Sequence, residues 1–96
     1  MAKSILQADK GSCFMCGSQE WLEEHHVFSG FGRRKLSEKY GLKVHLCHYC
    51  HNEPPKGVHH NSDARNALQQ FAQAKAMEHY GWTVDDFRSI FGKNYL

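Results

Sequence analysis

The chain has 96 residues, with 12 Lys or Arg against 10 Asp or Glu, so its formal net charge of +2 gives no global argument for binding nucleic acid. A chain of this length predicts one domain whose modest core needs a metal or disulfide staple. Because no apolar run could span a membrane and no signal-peptide pattern is present, we expect a soluble, intracellular protein.

Two Cys-x-x-Cys pairs lie in the first 50 residues of the chain, Cys13 with Cys16 and Cys47 with Cys50. A reducing compartment disfavours disulfides, and this spacing is typical of zinc sites. Four thiolates around one Zn²⁺ form a closed tetrahedral site, which is structural rather than catalytic. Free buried thiols, or a redox or metal-sensing switch, are the alternatives, but nothing nearby indicates a reactive low-pKa thiol.

The segments between and beside these pairs predict short elements. Lys3–Gln7 is a short strand or an arm, and Gln19–Val27 is extended. Arg33–Tyr40 predicts a short basic helix or turn that ends at Gly41. Leu42–Leu46 alternates apolar and polar residues, which predicts a half-buried strand leading to the second cysteine pair.

The short helix carries the main cluster of positive charge, Arg33, Arg34, Lys35 and Lys39. These four residues predict either a patch that contacts phosphates or an ordinary solvated face, and composition alone does not separate the two.

The last third of the chain predicts two helices. A long helix runs from about Asp63 to Tyr80, with Asn61 or Ser62 as its N-cap and Gly81 after its end. Its expected core stripe consists of Ala67, Leu68, Phe71, Ala74 and Met77. A shorter helix follows a Thr83 cap and ends at Gly92, with Val84, Phe87, Ile90 and Phe91 facing inward.

Histidine is concentrated in the middle of the chain, where seven of the eight lie between His25 and His60. Successive residues on a strand point to opposite sides, so in His25-His26 one ring can bind a metal while the other acts as a general base. His51 follows the second cysteine pair, and His59 and Asn61 lie at the start of the long helix, where phosphate binding is favoured. His45, His48 and His79 are given no role, and His60 stays open.

Two segments, Glu24-His25-His26-Val27 and Leu46-Cys47-His48-Tyr49-Cys50-His51, resemble the HNH (ββα-metal) nucleases, in particular small phage-encoded proteins of that type. The resemblance covers roughly residues 13–61. It implies a β-hairpin and a helix around one divalent ion, with His26 as general base and His25 and His51 as ligands. Leu42-Lys43-Val44 replaces the family's middle Asn and Pro54-Pro55 interrupts its helix, so His59 or Asn61 is expected to complete the site.

These observations predict an α+β fold, a small zinc-stapled ββα-metal domain with a β-hairpin, one long helix and a short C-terminal helix. A single domain of residues 1–96 would hold the knuckles and metal site in 13–61 and the helical part in 62–96. The expected function is a metal-dependent endonuclease that hydrolyses DNA, or RNA, with little sequence specificity. It would use structural Zn²⁺ and a catalytic Mg²⁺ or other divalent cation.

The resemblance also bears on partners and location. It implies the cytoplasm of a bacterial host cell, no membrane partner, and either a homodimer or a phage or host protein as a further partner. The alternative function is a non-catalytic zinc module that binds nucleic acid or protein.

Overall fold

The structure is a computed structural model that describes residues 3–8, 11–30, 32–55 and 57–96. The elements of this part of the chain are β1 (Leu22–His26), α1 (Arg33–Tyr40), β2 (Lys43–Cys47), α2 (His48–His51), α3 (Ser62–Tyr80) and α4 (Val84–Phe91). The predicted α+β class is therefore confirmed, with an antiparallel strand pair, one long helix and a short last helix. Among the described residues, no helix has the length and apolar character needed to cross a bilayer.

The two strands pair antiparallel, with Leu22 opposite Cys47 and His26 opposite Lys43. Paired residues share a face and neighbours alternate, so His25 lies with Val44 on one face and His26 with Lys43 on the other. The expectation of a half-buried second strand is wrong, because Lys43 is only 7% exposed and its neighbour Val44 only 1%. The second face of β2 is therefore covered at Lys43, whereas His45 on the same face is half-buried.

Helix α1 lies in the connection between the strands and is fixed against the end of β1. The buried Ser37 hydroxyl donates to the Phe28 carbonyl (2.7 Å) and accepts from the Phe28 N–H (3.0 Å). Gly41 ends the helix with φ 74°, and a side chain there would also collide with the Lys3 carbonyl. These contacts set the position of the next residue along α1, Glu38, beside the end of β1.

The core beneath this connection is aromatic. Phe28 is fully buried, and its ring centroid lies 5.4 Å from that of Phe87, 4.9 Å from that of Phe91 and 4.8 Å from that of Tyr95. Helix α4 is held by the Thr83 capping box and presents Phe87 and Phe91 inward, as its sequence predicted. The last helix therefore packs under Phe28, two residues beyond the end of β1.

Helix α3 buries a different stripe from the one expected. Leu68 is buried as predicted, but the other buried residues are Ala72, Gln73 and Ala76, while Phe71 is 36% exposed. Gln73 can lie in the core because its amide donates to Asn94 (2.8 Å) and accepts from the Tyr95 N–H (2.7 Å). Ala67 and Ala74 face solvent, Met77 is half-buried, and Phe71 packs outside the core against Phe14.

Candidate metal centres

The four cysteines converge on one point. Cys13, Cys16, Cys47 and Cys50 each offer a sulfur, and these sulfurs lie within 4.8 Å of one another. All four are free thiols in the structure, and the sulfurs of Cys16 and Cys47 are 3.6 Å apart. The expected Cys₄ cluster is therefore present, and it is compatible with a structural zinc site.

The thiol cluster is electrostatically suited to a cation. Burial raises the pKa of Cys13, but backbone N–H donors from Cys47, Cys16 and Met15 outweigh it and bring the pKa down to about 6. Burial and the neighbouring thiols raise the pKa of Cys50. The cluster thus ionises one sulfur readily and resists further negative charge, which a bound divalent cation would neutralise.

A second cluster is formed by His25, His51 and His59, each with a ring nitrogen within 4.8 Å of the others. The two Nε2 atoms of His51 and His59 are 3.0 Å apart. The rings arrive from β1, from the end of α2 and from the loop before α3. That loop is fixed to α2, because the His59 N–H donates to the His51 carbonyl (3.3 Å) and the Val58 N–H to the Cys50 carbonyl (2.9 Å).

His25 is the buried member of this cluster, at 5% exposure, and His59 is exposed. The Nε2 of His25 is buried without any hydrogen-bond partner. Burial, with the charges of His51, His59 and His26, lowers the pKa of His25 to about 3. Burial and the neighbouring His51 also lower the pKa of His59. The rings of His25 and His59 are therefore neutral at pH 7, the form that binds metal ions.

Glu23 supports this cluster and was missed in the sequence. Its carboxylate accepts from His51 Nδ1 (2.8 Å), and the hydrogen bond from that ring is the main reason that the pKa of Glu23 is lowered. Asn52 donates to the same oxygen (3.0 Å). A neutral His51 ring that donates this hydrogen bond from Nδ1 has a bare Nε2, which faces the other rings of the cluster. The signal was available, because residues 23 and 25 share a face of the strand.

His26 lies on the other face of β1 in a separate set of contacts. Its Nε2 is 3.0 Å from Glu38 Oε1 and 3.7 Å from Glu24 Oε1. Lys43 Nζ lies 2.6 Å from Glu38 Oε2 and 3.7 Å from Glu24 Oε2. The general base expected from the sequence is thus separate from the three-histidine cluster, as alternation along a strand requires.

An open cavity of about 500 Å³ adjoins His26 and is lined by Glu24, His26, Arg34, Lys35 and Glu38. Two of the four predicted phosphate-contact residues therefore share a cavity with the predicted base. Arg33 does not, because its Nε donates to the Phe91 carbonyl (2.9 Å) at the end of α4. Lys39 is exposed elsewhere on α1, with its amine 5.3 Å from the Tyr40 ring centroid.

Asn61, the remaining predicted ligand, is the N-cap of α3. Its side-chain oxygen accepts from the Ala64 N–H (3.0 Å), and its amide donates to the Pro55 carbonyl (3.2 Å). Both ends of the amide are therefore used to hold the loop and the helix start. A ligand role for Asn61 stays a prediction that these contacts do not support. His48, given no role above, bridges Glu23 (3.4 Å) and Glu53 (2.7 Å).

Comparisons with protein-family models, with characterised proteins and with solved structures found no match to this chain. The inferences about its function therefore depend on the two clusters and on the surface around His26.

Proposed function

We propose that the protein is a metal-dependent endonuclease that binds structural zinc at its four cysteines and a second divalent ion at His25, His51 and His59. The observation that carries the second site is the unpaired Nε2 of His25. A buried nitrogen without a partner costs about 1–3 kcal/mol. A cation shared by the three rings would satisfy it and separate the close pair of nitrogens on His51 and His59.

The donor set fits a transition metal better than Mg²⁺. Three neutral imidazoles suit Zn²⁺, Ni²⁺, Co²⁺ or Mn²⁺, whereas Mg²⁺ prefers carboxylate, carbonyl and water oxygens. Glu23 orients His51 through the hydrogen bond to Nδ1 in the way that outer carboxylates orient metal-binding histidines. Because His59 is exposed, the cluster is open to solvent on one side, as a catalytic rather than a closed site needs.

The chemistry that follows is hydrolysis of a phosphodiester. When bound, a divalent ion supplies Lewis-acid stabilisation of the negative charge that develops on the phosphate and its leaving oxygen. His26 takes the proton of the attacking water. Arg34 and Lys35, which line the cavity beside His26, hold the flanking phosphates. Such backbone contacts predict weak sequence preference and strong salt dependence.

The two parts of this proposed site lie on opposite faces of β1, so cleavage requires one phosphate to come within reach of both. The described sheet has only two strands, so one edge of β1 is not covered by another strand. We propose that the scissile phosphate binds at this edge, because the ion at His25 and the base at His26 must act on the same phosphorus.

The test combines metal content with cleavage. We expect purified protein to hold one tightly bound zinc and to take up a second ion, followed by Co²⁺ absorption or Ni²⁺ calorimetry. Supercoiled plasmid should be nicked in the presence of Mn²⁺, Ni²⁺ or Mg²⁺, with Mg²⁺ the least effective. The His26→Ala variant should lose nicking activity but still bind the second ion. The His25→Ala variant should lose both the nicking activity and the second ion.

His79→Ala is the matched control, because His79 is an exposed histidine on α3 outside both clusters. It should cleave like the wild type. A protein that takes up no second ion and leaves both DNA and RNA intact would refute the enzyme and leave a zinc-bound binding module as the function.

A further inference from the structure

Glu38 joins the predicted base to a buried amine. One of its oxygens is 3.0 Å from His26 Nε2, and the other accepts a 2.6 Å hydrogen bond from Lys43 Nζ. The Lys43 side chain is only 9% exposed, and the other carboxylate near its amine, that of Glu24, is 3.7 Å away. Lys43 therefore depends on residue 38 for its close partner, and Glu38 is held in place from both sides.

The charge state of Glu38 decides which ring nitrogen of His26 carries the proton. The hydrogen bond from Lys43, followed by that from His26, lowers the pKa of Glu38 to about 2. An ionised carboxylate can only accept hydrogen bonds, so His26 Nε2 must be the donor. In the neutral form, which a general base must have, the ring has one N–H, so Nδ1 is then the bare nitrogen.

We propose that Glu38 is a positioning residue that holds His26 in the Nε2–H tautomer and leaves Nδ1 as the proton acceptor. Lys43 binds one oxygen of Glu38, so the other oxygen faces the ring. The role of Nδ1 in cleavage rests on the proposed function, whereas the tautomer does not. In the reaction a water proton passes to Nδ1 as the water oxygen bonds to phosphorus. The bond to the leaving oxygen then breaks, and that oxygen keeps the electron pair.

Glu38→Gln gives a specific test, because it changes one atom and keeps the shape of the side chain. The Lys43 ammonium has only donors, so it will take the amide oxygen of Gln and turn the NH₂ group toward His26. Nε2 must then accept, and the proton moves to Nδ1. We expect the variant to bind DNA with KM changed less than about threefold and to lose kcat by roughly 10²–10⁴-fold, the scale of a general base in the wrong tautomer.

A second variant separates this role from a structural one. Glu38→Gln combined with Lys43→Met removes the ammonium, so the amide can rotate and offer its oxygen to Nε2. We expect the Nε2–H tautomer and part of the lost kcat to return. Lys43→Met alone should keep the wild-type tautomer, because Glu38 still accepts from the ring. Helix content by circular dichroism checks that each variant is folded.

The tautomer is read directly by long-range ¹H–¹⁵N correlation spectra of the histidine rings, with His26 assigned by comparison with His26→Asn. A wild-type His26 that carries its proton on Nδ1, or a tautomer that does not change in Glu38→Gln, would overturn the proposal. If the tautomers change as described but no protein in the series cleaves DNA, the nuclease function fails and the role of Glu38 in setting the tautomer stands.

Discussion

The neutral state of His25 predicts a specific loss of stability in mild acid. The pKa of this ring falls from its usual 6.5 to about 3, chiefly because the ring is buried and His51 and His59 lie beside it. Below pH 6.5 the unfolded chain binds a proton at this position and the folded protein does not. The stability is thus complete above that value and is lost as the pH falls toward 3.

The magnitude follows from these two values. Between about pH 7.5 and about pH 5.5 the unfolded state gains close to one proton at His25 and the folded state gains none, which costs about 1.4 kcal/mol. Urea unfolding of the zinc-loaded protein, with the second ion removed by a weak chelator, measures this change. His25→Asn cannot titrate, so the loss of stability between the two pH values should be smaller in the variant by that amount.

The other titrating groups are the same in both proteins, so their contribution to the pH dependence of stability cancels in the comparison. His79→Asn is the matched control, since His79 is exposed on α3 and lies outside the three-histidine cluster. If His25→Asn lost as much stability on acidification as the wild type, the ring would not be neutral and buried in the folded state. The inference that its Nε2 is free for an ion would fail with it.

Three further predictions test other parts of the structure. Glu23→Ala should weaken binding of the second ion by about 10–100-fold in a chelator competition titration, with the first zinc retained, because His51 loses its orienting carboxylate. Phe28→Ala should lower the free energy of unfolding by about 3–5 kcal/mol in urea, since Phe28 is fully buried among three aromatic rings. Arg34→Ala should weaken DNA binding and reduce the slope of log K against log salt by about 0.9, whereas Arg33→Ala should reduce stability instead, because Arg33 holds the end of α4.

Local signals in the sequence predicted the elements well. Helix α1 occupies the predicted range Arg33–Tyr40 and ends at Gly41, and α3 and α4 end before Gly81 and Gly92. Each of these ends depends on a glycine in the left-handed conformation, which is a property of a few neighbouring residues. Such features need no knowledge of the rest of the fold.

The buried stripe of α3 could not be predicted in this way. Hydrophobicity favoured Phe71 and Met77, but the helix buries small alanines and Gln73, whose partners Asn94 and Tyr95 lie more than 20 residues along the chain. A polar residue is stable in a core only when distant groups satisfy its hydrogen bonds. The sequence does not reveal those groups before the fold is known.

The candidate site shows the same difference between local signals and contacts of distant residues. Four cysteines and the pair His25-His26 were identified from spacing and strand alternation, which are local properties. Glu38 and Lys43 were missed because their meeting with His26 depends on how α1 packs against the strand pair. The assignment of Asn61 as a ligand competed with its capping role, and the capping bonds are the ones that the structure contains.

Helix α2 has a consequence for how the protein would be loaded with ions. Its four residues include Cys50 and, directly after it, His51, and its carbonyls also anchor the backbone of Val58 and His59. One helical turn therefore carries a candidate metal ligand of each cluster, Cys50 and His51. If both clusters bind ions, occupancy of the sulfur cluster would organise the imidazoles, and thermodynamic linkage would make the reverse effect equal in free energy. We therefore expect removal of the first zinc to weaken binding of the second ion.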